Sequence, residues 1–105
     1  MQDYEMMLIV DPDIDEEKRK EIYRKIEIMI ENEGGKVLDI KDWGYREFAY
    51  PIKHKNGGFY SIWEFRSIPE TPNFLRSQMR LMKDIFRFMI IKKENVKSFK
   101  GKKGG

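Results

Sequence analysis

Gly44-Tyr45-Arg46-Glu47-Phe48-Ala49-Tyr50-Pro51-Ile52-Lys53 lies at the middle of the chain and decides its architecture. It runs into the polar stretch Lys53-His54-Lys55-Asn56-Gly57-Gly58 and then into a second aromatic run, Phe59 to Phe65. Two such runs separated by turn residues predict two long strands joined by a hairpin, with Gly57-Gly58 supplying the turn. The two-residue period puts Arg46 and Phe48 on one face, and Tyr45, Glu47 and Ala49 on the other. Pro51 has no amide hydrogen to give to a ladder, so it fits only a sheet edge or a strand end. The expectation is an edge strand whose outer rim is open to a partner.

Upstream, Tyr4 to Val10 is an apolar run with little alternation, closed by Asp11-Pro12-Asp13. That pattern fits a central strand with one face under helices. Asp13 or Asp15 can cap the following helix, and Glu16 and Glu17 complement its dipole. Ile22, Ile26, Met29 and Ile30 form one apolar stripe, ended by Gly34-Gly35. The charged face from Lys18 to Glu33 reads as solvated surface. A second strand from Lys36 to Ile52 is long enough to require a bend or bulge, for which Gly44 is the candidate.

Downstream, a third strand is expected from Phe59 to Arg66. Thr71-Pro72 is a helix start, with Thr71 as cap and Pro72 at the first helical position. Leu75, Met79 and Met82 supply the apolar stripe of that helix, and Arg76, Arg80 and Lys83 a basic one. Ile85 to Ile91 reads as the last strand, with Phe86, Phe88 and Ile90 on one side and Arg87, Met89 and Ile91 on the other. From Lys92 the chain holds six lysines against Glu94 alone. Residues 1–96 are read as one domain and 97–105 as a basic tail, disordered beyond about Phe99.

The order strand, helix, strand, strand, helix, strand predicts an α+β, ferredoxin-like sandwich (βαββαβ). Its four-stranded antiparallel sheet carries two helices on one face.

Composition narrows the function. No residue is a cysteine, which fits a reducing compartment, and neither a secretory leader nor a membrane span is legible. The chain is therefore expected to be cytoplasmic. The net charge of +3 conceals an asymmetry: residues 1–35 hold eleven acids and five bases, or −6, and residues 36–105 seven acids and sixteen bases, or +9. Such a division points to a polyanion partner for the second part. His54 is the single histidine and sits in a turn, with no acidic cluster spaced as metal ligands. No phosphate loop, nucleophile elbow or carboxylate pair is present, so no enzyme, metal or cofactor is expected.

Aromatic residues interleave with the bases. Trp43, Tyr45, Trp63 and Phe65 read individually as core, whereas Arg76, Arg80, Lys83 and Arg87 together with the lysine tail favour nucleic acid. The sheet pattern of an RNA-recognition domain fails: Gly58-Phe59-Tyr60-Ser61-Ile62-Trp63-Glu64 puts Ser61 and Glu64 where bases would stack.

Gly44-x-Arg46-x-Phe48-Ala49-Tyr50-Pro51-Ile52-Lys53 resembles the signature of the bacterial small-subunit ribosomal protein S-six family, with Phe48 where that family usually has Leu. Tyr4-Glu5 before an apolar strand, Gly58-Phe59-Tyr60, and Asp84-Ile85-x-Arg87-x-Met89-x-Ile91-Lys92 extend the resemblance over about residues 3–93. It implies a non-catalytic protein that joins ribosomal protein S-eighteen and binds the central domain of small-subunit rRNA during assembly. The rRNA candidates are Arg46, Arg76, Arg80, Arg87 and Lys92. Of these, Arg46, Arg80, Arg87 and Lys92 match the family's basic positions, while Arg76 comes from the helix stripe. Lys83 falls where basic residues are not constant.

Two other classes compete. An acylphosphatase-like enzyme would need a phosphate loop after the first strand, where this chain has the acidic Val10-Asp11-Pro12-Asp13-Ile14-Asp15. A ligand-binding or regulatory module of the same fold would dimerise through its sheet and ignore RNA. The face away from the helices carries Met7, Ile9, Met89 and Ile91, to which Tyr60 and Ile62 are added on the expected register. An apolar face of that size marks a partner site, with Arg87 and Arg46 as its charged rim. Neither a membrane nor a small-molecule substrate is expected.

Overall fold

The computed structural model describes residues 1–93. Strands β1 (Gln2–Val10), β2 (Lys36–Ile52), β3 (Lys55–Ser67) and β4 (Ile85–Lys92) alternate with helices α1 (Glu16–Asn32) and α2 (Thr71–Met79) in the order βαββαβ. The sheet order is β2-β3-β1-β4 and every pairing is antiparallel, so β1 and β3 are central and β2 is an edge, as Pro51 required. The expected tail, 97–105, lies outside the described residues, as does the end of the expected 1–96 domain.

Both helices cover one sheet face. Tyr4, Met6, Leu8 and Val10 alternate into a core closed by Ile22, Ile26 and Ile30 of α1, Leu75 and Met79 of α2, and Trp63 and Phe65 of β3. Trp63 and Phe65 are wholly buried, whereas Trp43 and Tyr45 of the edge strand are 38% and 48% exposed. Reading all four as core therefore holds for two of them. An edge strand has only one neighbour and runs past the helices that would cover its rings.

Asp15 caps α1, its carboxylate accepting from the Lys18 amide at 2.8 Å. Gly34 ends the helix with φ +83°. At α2 the expectation for Thr71 is corrected. The cap position is Glu70, without a side-chain hydrogen bond, and Thr71 is the first helical residue, wholly buried. The helix is also shorter than the basic stripe required. It stops at Met79, so Arg80 is the C-cap and Lys83 lies beyond it in a turn.

Three irregularities shape β2. Its register against β3 shifts between Val37 and Asp39, between Asp42 and Gly44, and again between Glu47 and Ile52. The second shift is the bulge expected at Gly44, whose φ of +76° suits glycine. In the third, Glu47 pairs with Gly57 and Ile52 with Lys55, so four residues of β2, Phe48 to Pro51, span one of β3. That excess swings the end of the hairpin out as an arm.

The hairpin turn is not made by glycine. Lys53 and His54 form it, both with positive φ (51° and 65°), while Gly57 and Gly58 are buried inside β3. The reason is packing. A Cβ on Gly57 would overlap the Tyr45 hydroxyl, and one on Gly58 would lie 2.8 Å from the Val10 carbonyl oxygen and from Ile9 Cγ2. The glycines serve close approach, and the turn accepts two left-handed L-residues, a strained arrangement.

Candidate nucleic-acid interface

In β4 a register shift between Ile9 and Val10 inserts one residue: Val10 pairs with Ile85 and Ile9 with Arg87. This corrects the expected alternation at its start, because Ile85 enters the core and Phe86 becomes the extra residue. Phe88 and Ile90 then face the helices, and Arg87, Met89 and Ile91 the other side, as expected. The Lys53 ammonium reaches across from the arm to sit 5.3 Å from the Phe86 ring centre.

These displacements assemble a cleft of about 490 Å³ where the end of α2, the edge of β4 and the arm converge. Its cationic wall is Lys53, Arg76, Arg80, Lys83 and Arg87, and among the described residues no Asp or Glu lines it. Like charges so placed raise the local potential and favour a polyanion. Arg80, Lys83 and Arg87 are exposed, whereas Arg76 is half-buried and already engaged. Its guanidinium donates to Asn73 Oδ1 at 2.8 Å and to the Ile90 carbonyl oxygen at 3.2 Å, tying α2 to β4.

Of the five expected rRNA residues, the cleft brings together Arg76, Arg80 and Arg87. Arg46 lies elsewhere, on the edge strand opposite Gly58 and three strands from β4. Its Nε donates to the Trp43 carbonyl oxygen at 3.3 Å, with the guanidinium 5.5 Å from the indole centre. Lys92 pairs with Tyr4 and so lies on the helix side of β4, five residues and roughly 16 Å along the strand from Arg87. The cleft adds two cations missing from that set, Lys53 and Lys83. The helix stripe pointed to Lys83. No local signal pointed to Lys53, which arrives only because the arm crosses the sheet.

The face away from the helices has the expected register: Met7 opposes Ile62 and Met89, and Ile9 opposes Tyr60 and Arg87. Its accessibility differs from the expectation. Met89 is 51% exposed, and Met7, Tyr60 and Ile91 are half-buried, but Ile9 and Ile62 keep only 3% and 1% of their surface. Those two therefore form the floor of the face and are not contacts a partner could reach. Phe48 comes over from the arm, its ring centre 6.2 Å from that of Tyr60. Between arm and sheet runs a mostly apolar groove of about 400 Å³, lined by Met7, Ile9, Phe48, Tyr50, Tyr60 and Arg87 among others. At the opposite end of the face are Glu5 and its register partner Glu64, and Lys93 donates to Glu64 at 2.5 Å.

Ion pairs brace the periphery. Arg66 holds Asp3 through two bonds of 2.7 and 3.2 Å, which lower the Asp3 carboxyl below its ordinary range and raise the guanidinium. Lys55 at the arm's tip pairs with Asp13 before α1, a hydrogen bond that raises the ammonium. Burial raises the Tyr23 phenol, whose ring meets Trp63 edge-on at 5.4 Å.

The model of the family described as ribosomal protein S6 matches residues 3–92. The chain is 38% identical over 94 residues to small ribosomal subunit protein bS6 of Clostridium novyi, covering 90% of this chain and 99% of that one. It is 33% identical over 95 residues to the protein of the same name from Caldanaerobacter subterraneus, covering 90% and 100%. The crystal structure of 30S ribosomal protein S6 from Thermotoga maritima superposes with a TM-score of 0.83 at 30% identity, over 88% of this chain and 87% of that one. The chain therefore belongs to the bacterial ribosomal protein S6 family, as a structural, non-enzymatic protein of the small ribosomal subunit.

Proposed function

We propose that this protein binds small-subunit rRNA through the cleft at β4 and joins ribosomal protein S-eighteen on the open sheet face during assembly. The observation that carries the rRNA part is the cleft's wall, which among the described residues holds five cations and no carboxylate. Phosphates are its natural occupants, because each one neutralised releases condensed counterions. Arg80, Lys83 and Arg87 are the exposed donors, and Arg76 sets the position of α2 against β4. Arg46 and Lys92 act from separate surfaces, Arg46 beside the partner. The partner part rests on the open sheet face, where Met7, Phe48 and Tyr60 line the groove between arm and sheet, Arg87 adds a charge at its rim, and Met89 is exposed beside Met7. A pair bound in this way presents more positive surface in fixed geometry than either protein alone.

The test is the salt dependence of binding to a central-domain rRNA transcript. Arg80→Ala with Arg87→Ala should flatten the slope of log K against log salt by about two units while leaving the circular dichroism spectrum unchanged. An unaltered slope places the RNA surface elsewhere on the protein.

A further inference from the structure

Two concavities share one wall. Arg87 lines both the cationic cleft and the apolar groove, and the arm does the same: Phe48 to Ile52 border the groove, and the next residue, Lys53, borders the cleft. The arm's backbone ladder is thin, with Phe48 packed near Tyr60 at its base. Between Glu47 and Ile52 its ladder to β3 is interrupted, and Ile52 opposite Lys55 is the pair that closes it. At the tip, the Lys53 ammonium lies over the Phe86 ring and Lys55 pairs with Asp13 at the surface. A phosphate in the cleft offers Lys53 a full negative charge in place of a ring quadrupole, and the stronger attraction wins.

We infer that Lys53 is a further anion ligand of the cleft, and that by drawing the arm toward bound RNA it couples occupancy of the cleft to the shape of the apolar groove. Lys53 acts on the groove through the arm, so it is a positioning residue there and a direct contact only for phosphate. The inference rests on the proposed rRNA reading and goes beyond it, because it makes the two binding events interdependent through one named side chain. Coupling between sites is reciprocal, so RNA should tighten the protein partner by the same factor as the partner tightens RNA.

The experiment is a binding cycle on the full chain with a central-domain rRNA transcript and ribosomal protein S-eighteen as probes. Wild type is compared with Lys53→Met, which keeps the side-chain length over Phe86 without its charge, and with Lys53→Arg, which restores charge. Lys53→Met should flatten the RNA salt slope by about one unit. It should leave partner affinity without RNA unchanged, and reduce the increase in partner affinity caused by RNA at least about fivefold. Lys53→Arg should recover both. If Lys53→Met leaves slope and coupling as in wild type while Arg80→Ala still flattens the slope, the arm is a passive wall and this inference is wrong. If neither substitution moves the slope, the rRNA reading of the cleft falls with it.

Discussion

The guanidinium of Arg76 donates to the carbonyl oxygen of Ile90, 3.2 Å away, on the outer edge of β4. One side chain thereby fixes the angle of α2 on the sheet and occupies a carbonyl that an added strand could otherwise use. Arg76→Ala should cost about 1–2 kcal/mol, because it removes a charge-assisted bond and the Asn73 contact together. Arg80→Ala, at an exposed helix end, should stay within about 0.5 kcal/mol. Urea denaturation checks both, and equal losses would mean that Arg76 is surface charge only.

Glycine placement makes a second expectation. Gly58→Ala pushes a methyl to 2.8 Å from the backbone oxygen of Val10, which cannot retreat without moving β1. A loss of about 1–3 kcal/mol is expected, as for overpacking in a core. His54→Gly should move the other way, by about 0.5 kcal/mol or more, since it relieves a φ of +65° at the turn. Thermal denaturation of the two variants gives the signs. Opposite signs to these would return the turn to Gly57-Gly58.

Charge on the open face separates floor from rim. Met89 is 51% exposed, so Met89→Glu should leave folding within about 0.5 kcal/mol and abolish pairing with ribosomal protein S-eighteen. Ile9 is 3% exposed, and Ile9→Glu should instead destabilise the fold itself by about 3 kcal/mol or more. Gel filtration of each variant with the partner, beside its melting curve, tells the effects apart. A Met89→Glu protein that pairs with unchanged affinity removes the β4 side of the open face from the interface.

The Asp3–Arg66 pair sets a pH dependence. Arg66 lowers the Asp3 carboxyl from its ordinary 3.8, so the folded state binds that proton less readily than the unfolded one. Stability from this pair is complete above about pH 5 and is lost as the pH falls through and below the ordinary carboxylate range. The pair is solvent-facing, and its whole contribution is at most a fraction of a kcal/mol. Asp3→Asn should therefore slightly flatten the acid limb of the stability profile and leave the neutral region nearly unchanged. A steeper acid limb in Asp3→Asn would reverse the assignment.

Much of this molecule was legible before its structure. Alternation along Tyr4 to Val10, the isoleucine stripe of α1, Pro51 and Gly44 carry their own local physics: periodicity, a missing donor and a free φ each act within a few residues. They yielded the element order, the edge strand, the bulge and the two faces of the sheet. The signature around Arg46 to Lys53 yielded the family. What the sequence could not decide were questions of distance between segments. Gly57 and Gly58 look like a turn until Tyr45, Ile9 and Val10 are packed against them. Ile9 and Ile62 look like partner surface until the sheet around them is closed. Lys53 looks like a turn lysine until four residues of β2 are set against one of β3 and the arm meets β4. Periodicity fixes which way a side chain points, because the backbone repeats locally; what it touches depends on register shifts and on the path of other strands, which only the folded sheet determines.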